Sequence, residues 1–171
     1  LAQLIVDETD RVRRLVDRME AFSGDAVPAL SPINIHQVLD RVRALAANGV
    51  ADGLDLKESY DPSLPEVLGD EDQLIQVFLN LVKNAAEAAH ARGDGRGEVQ
   101  VHTAYRHGVK VRSAKGQALR GAPIEVRIQD NGPGVPEHIR ESLFQPFVTS
   151  KANGAGLGLA LVAKLVAGHG G

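Results

Sequence analysis

The stretch VFLNLVKNAAEAAH, residues 77–90, decides how this chain folds. Its small and apolar residues predict a well-packed helix, and Asn80 and Asn84 lie four positions apart on one face of it. An amide is unfavourable in a helix interior unless something uses it. Two converging amides suit a hard cation and the phosphate oxygens that it bridges, although a buried Asn pair could equally hydrogen-bond to neighbouring loops.

Composition narrows the possible classes of protein. The chain has 171 residues, 43% of them hydrophobic, and a net charge of −3, which fits one domain with at most a small appendage. Overall charge therefore gives no reason to expect binding to nucleic acid or to an anionic membrane. The absence of Cys excludes disulfides and thiolate metal sites. No bilayer-spanning apolar run or signal peptide is evident, so we expect a cytoplasmic protein.

The N-terminal residues repeat in steps of four and three. The positions of this pattern are Leu1, Ile5, Glu8, Val12, Leu15, Met19 and Phe22. Such a heptad predicts an amphipathic helix that needs a partner helix, although it could also pack flat on its own domain. We assign residues 1–23 to this helix, 24–31 to a linker and 32–171 to a second domain. Because the sequence begins with Leu rather than Met, we expect a fragment.

Strand and helix patterns alternate in the second domain. Strands are predicted at about 31–35, 54–60, 98–105 and 124–129, and helices at about 36–48 and 71–90. Asp70 is predicted to cap the second helix, and Gln73 to complete a capping box with it. These elements together predict an α/β fold.

The segment between the last two predicted strands is basic. No acidic residue occurs from Val99 to Ile124, whereas residues 106–120 contain five Lys and Arg residues. We interpret the segment as a long solvated hairpin or loop. A functional basic patch is the alternative.

Three further motifs lie between residues 130 and 162. DNGPGVP, residues 130–136, comes directly after a strand, and its glycines permit positive φ and the close approach of a planar or charged group. NGAGLGLALV, residues 153–162, leads three alternating glycines into an apolar helix, where exposed N–H groups can bind an anion. Between them, LFQPFVTSK at residues 143–151 predicts a loop with an aromatic anchor. No Walker or dinucleotide fingerprint is present.

The order of these motifs resembles the N, first-glycine, F and second-glycine boxes of sensor histidine kinases. Their ATP-binding domains belong to the gyrase–MutL–histidine kinase superfamily, and the resemblance covers about residues 31–171. YDPSLP at residues 60–65 and GDEDQLIQVFLNLVKNAAEA at 69–88 resemble the nitrogen-regulation NtrB kinases still more. The resemblance implies a two-layer α/β sandwich of the Bergerat type, in which helices cover one face of a mixed sheet.

The resemblance also implies ATP and Mg²⁺ as ligands. Asn84 and Asn80 would coordinate Mg²⁺ and the phosphates, with Lys83 and Glu87 beside them near phosphate or ribose. Catalysis would depend on Asn80, Lys83 and Asn84. Asp130 would accept a hydrogen bond from the adenine amino group.

The glycines and the loop between them would close the site. Gly132 and Gly134 would let the backbone close over adenine, and Lys151 would reach the γ-phosphate. The residues that would shape a lid and present N–H groups to the phosphates are Gly154, Gly156, Leu157 and Gly158. Phe144 and Phe147 would anchor that lid.

For the whole protein, the resemblance implies a kinase and phosphatase that dimerises through a helical hairpin. It would phosphorylate a His and pass the group to an NtrC-like response regulator in nitrogen regulation, with a PII-type regulator as a family-implied partner. An acid should follow the acceptor His, but none of the six histidines here has one. We therefore expect the acceptor, the first hairpin helix and the final strands to lie outside this sequence, and we expect no self-phosphorylation.

Two other hypotheses remain open. One is a non-enzymatic nucleotide-sensing or interaction module of the same fold, which the intact Asn84, Asp130 and glycines disfavour. The other is a serine kinase or ATPase of the superfamily, which Asn80 and the heptad helix disfavour.

Asn80 separates phosphoryl transfer from hydrolysis. Hydrolysing relatives carry a Glu at this position as a general base for water, and an amide cannot take that proton at neutral pH. Asn80→Glu or Asn80→Asp is therefore expected to raise ATP hydrolysis, measured as phosphate release with Mg²⁺. An unchanged rate would count against the hypothesis.

Overall fold

A computed structural model describes residues 27–47, 49–106, 110–112, 118–120, 124–149 and 154–171. The predicted heptad helix lies outside these residues, so its prediction stays untested. The elements in chain order are β1 (Ser31–Ile33), α1 (Ile35–Ala47), β2 (Asp55–Ser59), β3 (Val67–Gly69), α2 (Glu71–His90), β4 (Glu98–Tyr105), β5 (Lys110–Arg112), β6 (Ala118–Arg120), β7 (Ile124–Asp130), α3 (Glu137–Arg140) and α4 (Gly158–Gly168). No described helix is long and apolar enough to cross a membrane.

The main sheet is mixed, as the family resemblance implied. Its order is β2-β4-β7, with β2 parallel and β7 antiparallel to the central β4. Val99 of β4 is buried and pairs with Leu56 on one side and with Asp130 on the other. This register places the carboxylate of the DNGPGVP motif at the edge of the core.

Two small antiparallel pairs complete the strands. β1 pairs with β3, with Ser31 opposite Gly69, immediately before the helix cap. The sequence did not predict β3, because three residues between a proline-rich loop and a cap are too few for a periodic pattern. β5 and β6 pair with Lys110 opposite Arg120, which confirms a hairpin within the basic segment.

Helix α2 forms the centre of the packing. It contacts α1, α4, β4 and β7. The core contributions of the first two helices are Val38, Leu39 and Val42 from α1, and Val77, Phe78, Val82 and Ala86 from α2. Burial of these apolar faces, worth about 25 cal/mol per Å², holds α2 in place. The face that carries Asn80 and Asn84 is only half-buried.

A polar cluster ties the YDPSLP loop to the sheet. The buried Thr103 hydroxyl accepts the Asp61 N–H at 2.9 Å and lies 3.0 Å from His36 Nε2. The His36 ring stacks on Tyr60 with centroids 4.8 Å apart. Burial, with a smaller contribution from Glu58, raises the pKa of Tyr60 to about 12, so this phenol stays neutral.

Removal of the Thr103 hydroxyl is expected to destabilise the fold. Thr103→Val leaves the Asp61 N–H without its acceptor, which costs about 1–3 kcal/mol of unfolding free energy. Urea unfolding measures the loss. Ser59→Val, at an exposed position of β2, is the control and should change stability by less than about 0.5 kcal/mol. Equal stability of the two variants would contradict a stabilising hydrogen bond between the Asp61 N–H and the Thr103 hydroxyl.

Candidate nucleotide-binding site

The orientation of the Asn80 amide is fixed by its own helix. Its Nδ2 group donates to the Gln76 carbonyl at 2.9 Å, which leaves Oδ1 as the outward acceptor. A Cβ built on Gly158 would lie 3.2 Å from that oxygen. The amide oxygen of Asn80 therefore faces the first residue of α4.

The first turn of α4 packs against α2 and also presents backbone N–H groups. The first N–H groups of a helix lack intrahelical partners and carry a partial positive charge, so they favour anions. An amide oxygen and a helix N-terminus thus meet at one place. This combination suits a metal ion that is bridged to phosphate oxygens.

Lys83 and Glu87 form a neighbouring charged pair on α2. Their Nζ and Oε1 atoms are 3.9 Å apart, and both side chains are about 40% exposed. A pair of this length and exposure contributes little to stability. The ion pair alone therefore does little to keep the Lys83 ammonium group from a ligand.

A cavity of about 470 Å³ lies beside Asn80 and Lys83. Its walls are formed by Val50, Ile75 and Leu79, with polar groups around them from Asp72 and Gln76. Asn80 thus borders both this cavity and the start of α4.

The turn after β7 is held by side-chain to backbone hydrogen bonds. Asp130 Oδ1 accepts the Gly132 N–H at 2.9 Å, and an ionised carboxylate retains further acceptor capacity. Asn131 accepts the Glu98 N–H and donates to the Arg96 carbonyl, each at 2.9 Å. The sequence did not predict this role for Asn131, whose partners lie more than thirty residues earlier.

The two glycines of the turn differ in their surroundings. Gly134 has φ +81°, and a Cβ there would meet nothing within 4 Å, so space remains for the predicted adenine contact. A Cβ on Gly132 would clash with the Ala88 carbonyl oxygen of α2. Gly132 therefore packs the turn onto α2, a role that the sequence did not predict.

The loop before α4 is held through its backbone. The Phe147 N–H donates to the Gly156 carbonyl at 2.9 Å, and both residues have positive φ, +67° and +66°. The Phe144 and Phe147 side chains are 56% and 64% exposed. The prediction that the two aromatic rings anchor this loop was thus wrong, because both rings are exposed. The backbone hydrogen bond between Phe147 and Gly156 holds the loop instead.

Leu157 is a buried residue just before α4. It is 2% exposed, and its predicted backbone contact with phosphate stays a prediction. Gly154 precedes it at a half-buried position, and Lys151 lies outside the described residues. Burial of Leu157 secures the beginning of α4 in the protein interior.

His169, which follows α4, was not predicted from the sequence to have a role at this site. Its Nε2 atom accepts the Asp70 N–H at 3.0 Å. Half of the predicted capping box is present, since Asp70 Oδ1 accepts the Gln73 N–H at 3.1 Å. The reciprocal bond from the Asp70 N–H goes to His169, 99 residues later, and a contact this distant leaves no local sequence signal.

The donor set fits Mg²⁺ better than a transition metal. Across the described ranges, no three His, Asp or Glu side chains converge on one point. Mg²⁺ is commonly held by one or two protein oxygens together with phosphate oxygens and water. The amide oxygen of Asn80 is a donor of this kind, and Asn84 lies one helical turn further along α2.

Comparison with known proteins places the chain in a family. A profile of the histidine kinase-, DNA gyrase B- and HSP90-like ATPases matches residues 69–171, and the chain belongs to this family. Within it, the chain is 54% identical to the sensory histidine kinase/phosphatase NtrB of Rhizobium leguminosarum bv. phaseoli and 53% identical to that of Rhizobium meliloti (strain 1021). Each match covers 100% of this chain and 44% of the relative, so the chain spans less than half of their length.

A solved structure supports the same assignment. The fold is similar to that of full-length ShkA in complex with AMPPNP, with a TM-score of 0.74 and 27% identity. The match covers 96% of this chain and 32% of the other. The chain therefore has the fold of the histidine kinase-, DNA gyrase B- and HSP90-like ATPase family, and it is similar to the NtrB kinases that its motifs resemble.

The contact between Gly132 and α2 is expected to be intolerant of a side chain. Gly132→Ala forces its Cβ against a backbone oxygen, and such overpacking costs about 1–3 kcal/mol. Thermal or urea unfolding measures the loss. Gly168→Ala is the matched control, because a Cβ there meets nothing within 4 Å. If both variants are equally stable, the close packing of the turn is refuted.

Proposed function

We propose that this domain binds ATP with Mg²⁺ between α2, the turn at residues 130–134 and the start of α4. The orientation of Asn80 is the observation that carries the proposal. Its Nδ2 group is bonded to Gln76, so its oxygen faces Gly158, where the helix N-terminus begins. A hard oxygen ligand beside an anion-binding helix end fits a metal-bridged polyphosphate.

Each part of the nucleotide has a candidate partner in this arrangement. Asn80 and Asn84 would hold the metal ion, and Asp130 would accept the adenine amino group. The phosphate contacts would come from Lys151 and from the backbone of Gly154, Gly156, Leu157 and Gly158. When bound, Mg²⁺ would neutralise charge on the phosphate oxygens. AMPPNP is the ligand of the similar ShkA structure, and this supports a triphosphate here.

The chemistry is phosphoryl transfer to an external acceptor. Asn80 cannot act as a base for water, so the residues of this chain would act by positioning and by electrostatic stabilisation. The cavity beside Asn80 and Lys83 would admit the acceptor side chain, because it adjoins the metal-facing amide.

The similarity to the NtrB relatives supports a proposal for the assembly and the pathway. We infer a cytoplasmic kinase and phosphatase that dimerises through a helical hairpin containing residues 1–23. It would phosphorylate a His outside this sequence and then an NtrC-like response regulator. A PII-type protein would regulate it. The name of the relatives, sensory histidine kinase/phosphatase, supports both activities.

Calorimetric titration of the chain with ATP, with and without Mg²⁺, tests the binding proposal. Mg²⁺ is expected to strengthen binding, and Asn84→Ala is expected to remove most of that strengthening. Gln129→Ala, at an exposed position of β7, is the control and should bind as the unchanged chain does.

Thermal unfolding confirms that each protein is folded before titration. A folded chain that does not bind ATP would contradict the proposal. Binding that ignores both Mg²⁺ and the Asn84 substitution would contradict the metal assignment alone.

A further inference from the structure

Helices α2 and α4 contact each other at two points that lie far apart along both helices. Near the middle of α2, Asn80 faces Gly158 at the beginning of α4. At the cap of α2, Asp70 contacts His169, immediately after the end of α4. The pair is thus antiparallel, and His169 lies about 16 Å along α4 from the proposed phosphate site.

Both nitrogens of the His169 ring are committed to backbone partners. Nδ1 lies 2.8 Å from the Leu165 carbonyl, which can only accept a hydrogen bond. Nε2 lies 3.0 Å from the Asp70 N–H, which can only donate. The two contacts together require the neutral imidazole with its proton on Nδ1.

The carboxylate of Asp70 also binds the segment before β1. Oδ1 accepts the Gln73 N–H at 3.1 Å, and Oδ2 accepts the Ala29 N–H at 2.9 Å. These backbone hydrogen bonds, from Gln73 first and then Ala29, lower the pKa of Asp70, so the group is ionised near neutral pH. Residues 27–30, the start of α2 and the end of α4 therefore meet at the Asp70 residue.

We propose that His169 is a positioning residue that sets the nucleotide site from the far end of α4. Its neutral ring anchors the end of α4 to the cap of α2, and a rigid helix transmits that anchor to Gly158. The distance between the first N–H groups of α4 and the Asn80 oxygen then depends on the contact between His169 and Asp70, which lies away from the proposed ligand. The ATP-binding test of this inference rests on the proposed function, whereas the NMR test of the helix position does not.

The structural readout needs no nucleotide. In NMR spectra of the chain, His169→Ala is expected to shift the signals of the Gly158 N–H and the Asn80 side-chain amide. His169→Gln should restore them in large part, because its amide oxygen can accept the Asp70 N–H. His138→Ala, at an exposed position of α3, is the control. Unchanged Gly158 and Asn80 signals in folded His169→Ala would overturn the inference.

The binding readout separates positioning from general stability. At a temperature where all variants are folded, His169→Ala is expected to weaken Mg²⁺-dependent ATP affinity by about fivefold, equivalent to one neutral hydrogen bond. Affinity measured without Mg²⁺ should change less, and His169→Gln should recover most of the loss. Equal affinities of His169→Ala and the unchanged chain would overturn the inference, while binding by the unchanged chain would leave the proposed function intact.

Discussion

The contact between α2 and α4 is the constraint on which the proposed site depends. Asn80 keeps its amide oxygen toward α4 because its nitrogen is bonded one turn back, to Gln76. Gly158 allows α4 to begin beside that oxygen, where any Cβ would already be in close contact. The start of α4 carries the positive end of the helix dipole, so the two helices together create one place that favours a cation and an anion at once.

The sheet brings the second half of the site to the same helix. β7 ends at Asp130, and Gly132 packs directly on Ala88, eight residues beyond Asn80 on α2. These two contacts lie about 12 Å apart along the helix, with Asn84 halfway between them. Helix α2 is therefore the common support for the proposed adenine contact and the proposed phosphate contacts. Its own position depends on apolar burial against α1 and the sheet.

Local signals in the sequence predicted much of this arrangement. The bounds of α2 and the Asp70 cap followed from helix periodicity and capping chemistry, and the strand end at Asp130 followed from pattern and turn residues. Contacts between distant residues were not predictable in this way. The bonds of His169 with Asp70 and of Asn131 with Glu98 depend on the completed fold. The positive φ and the exposed position of Phe147 were likewise not predictable, because a side-chain pattern does not encode them.

The most direct test of the account replaces Mg²⁺ with paramagnetic Mn²⁺ in the presence of ATP and follows the loss of NMR signals residue by residue. The account predicts the strongest broadening at Asn80 and Asn84 and at residues 156–158, because the metal ion would lie between these groups. Residues of α1 should keep their signals. Broadening that spares either α2 or the start of α4 would contradict a metal site shared by the two helices.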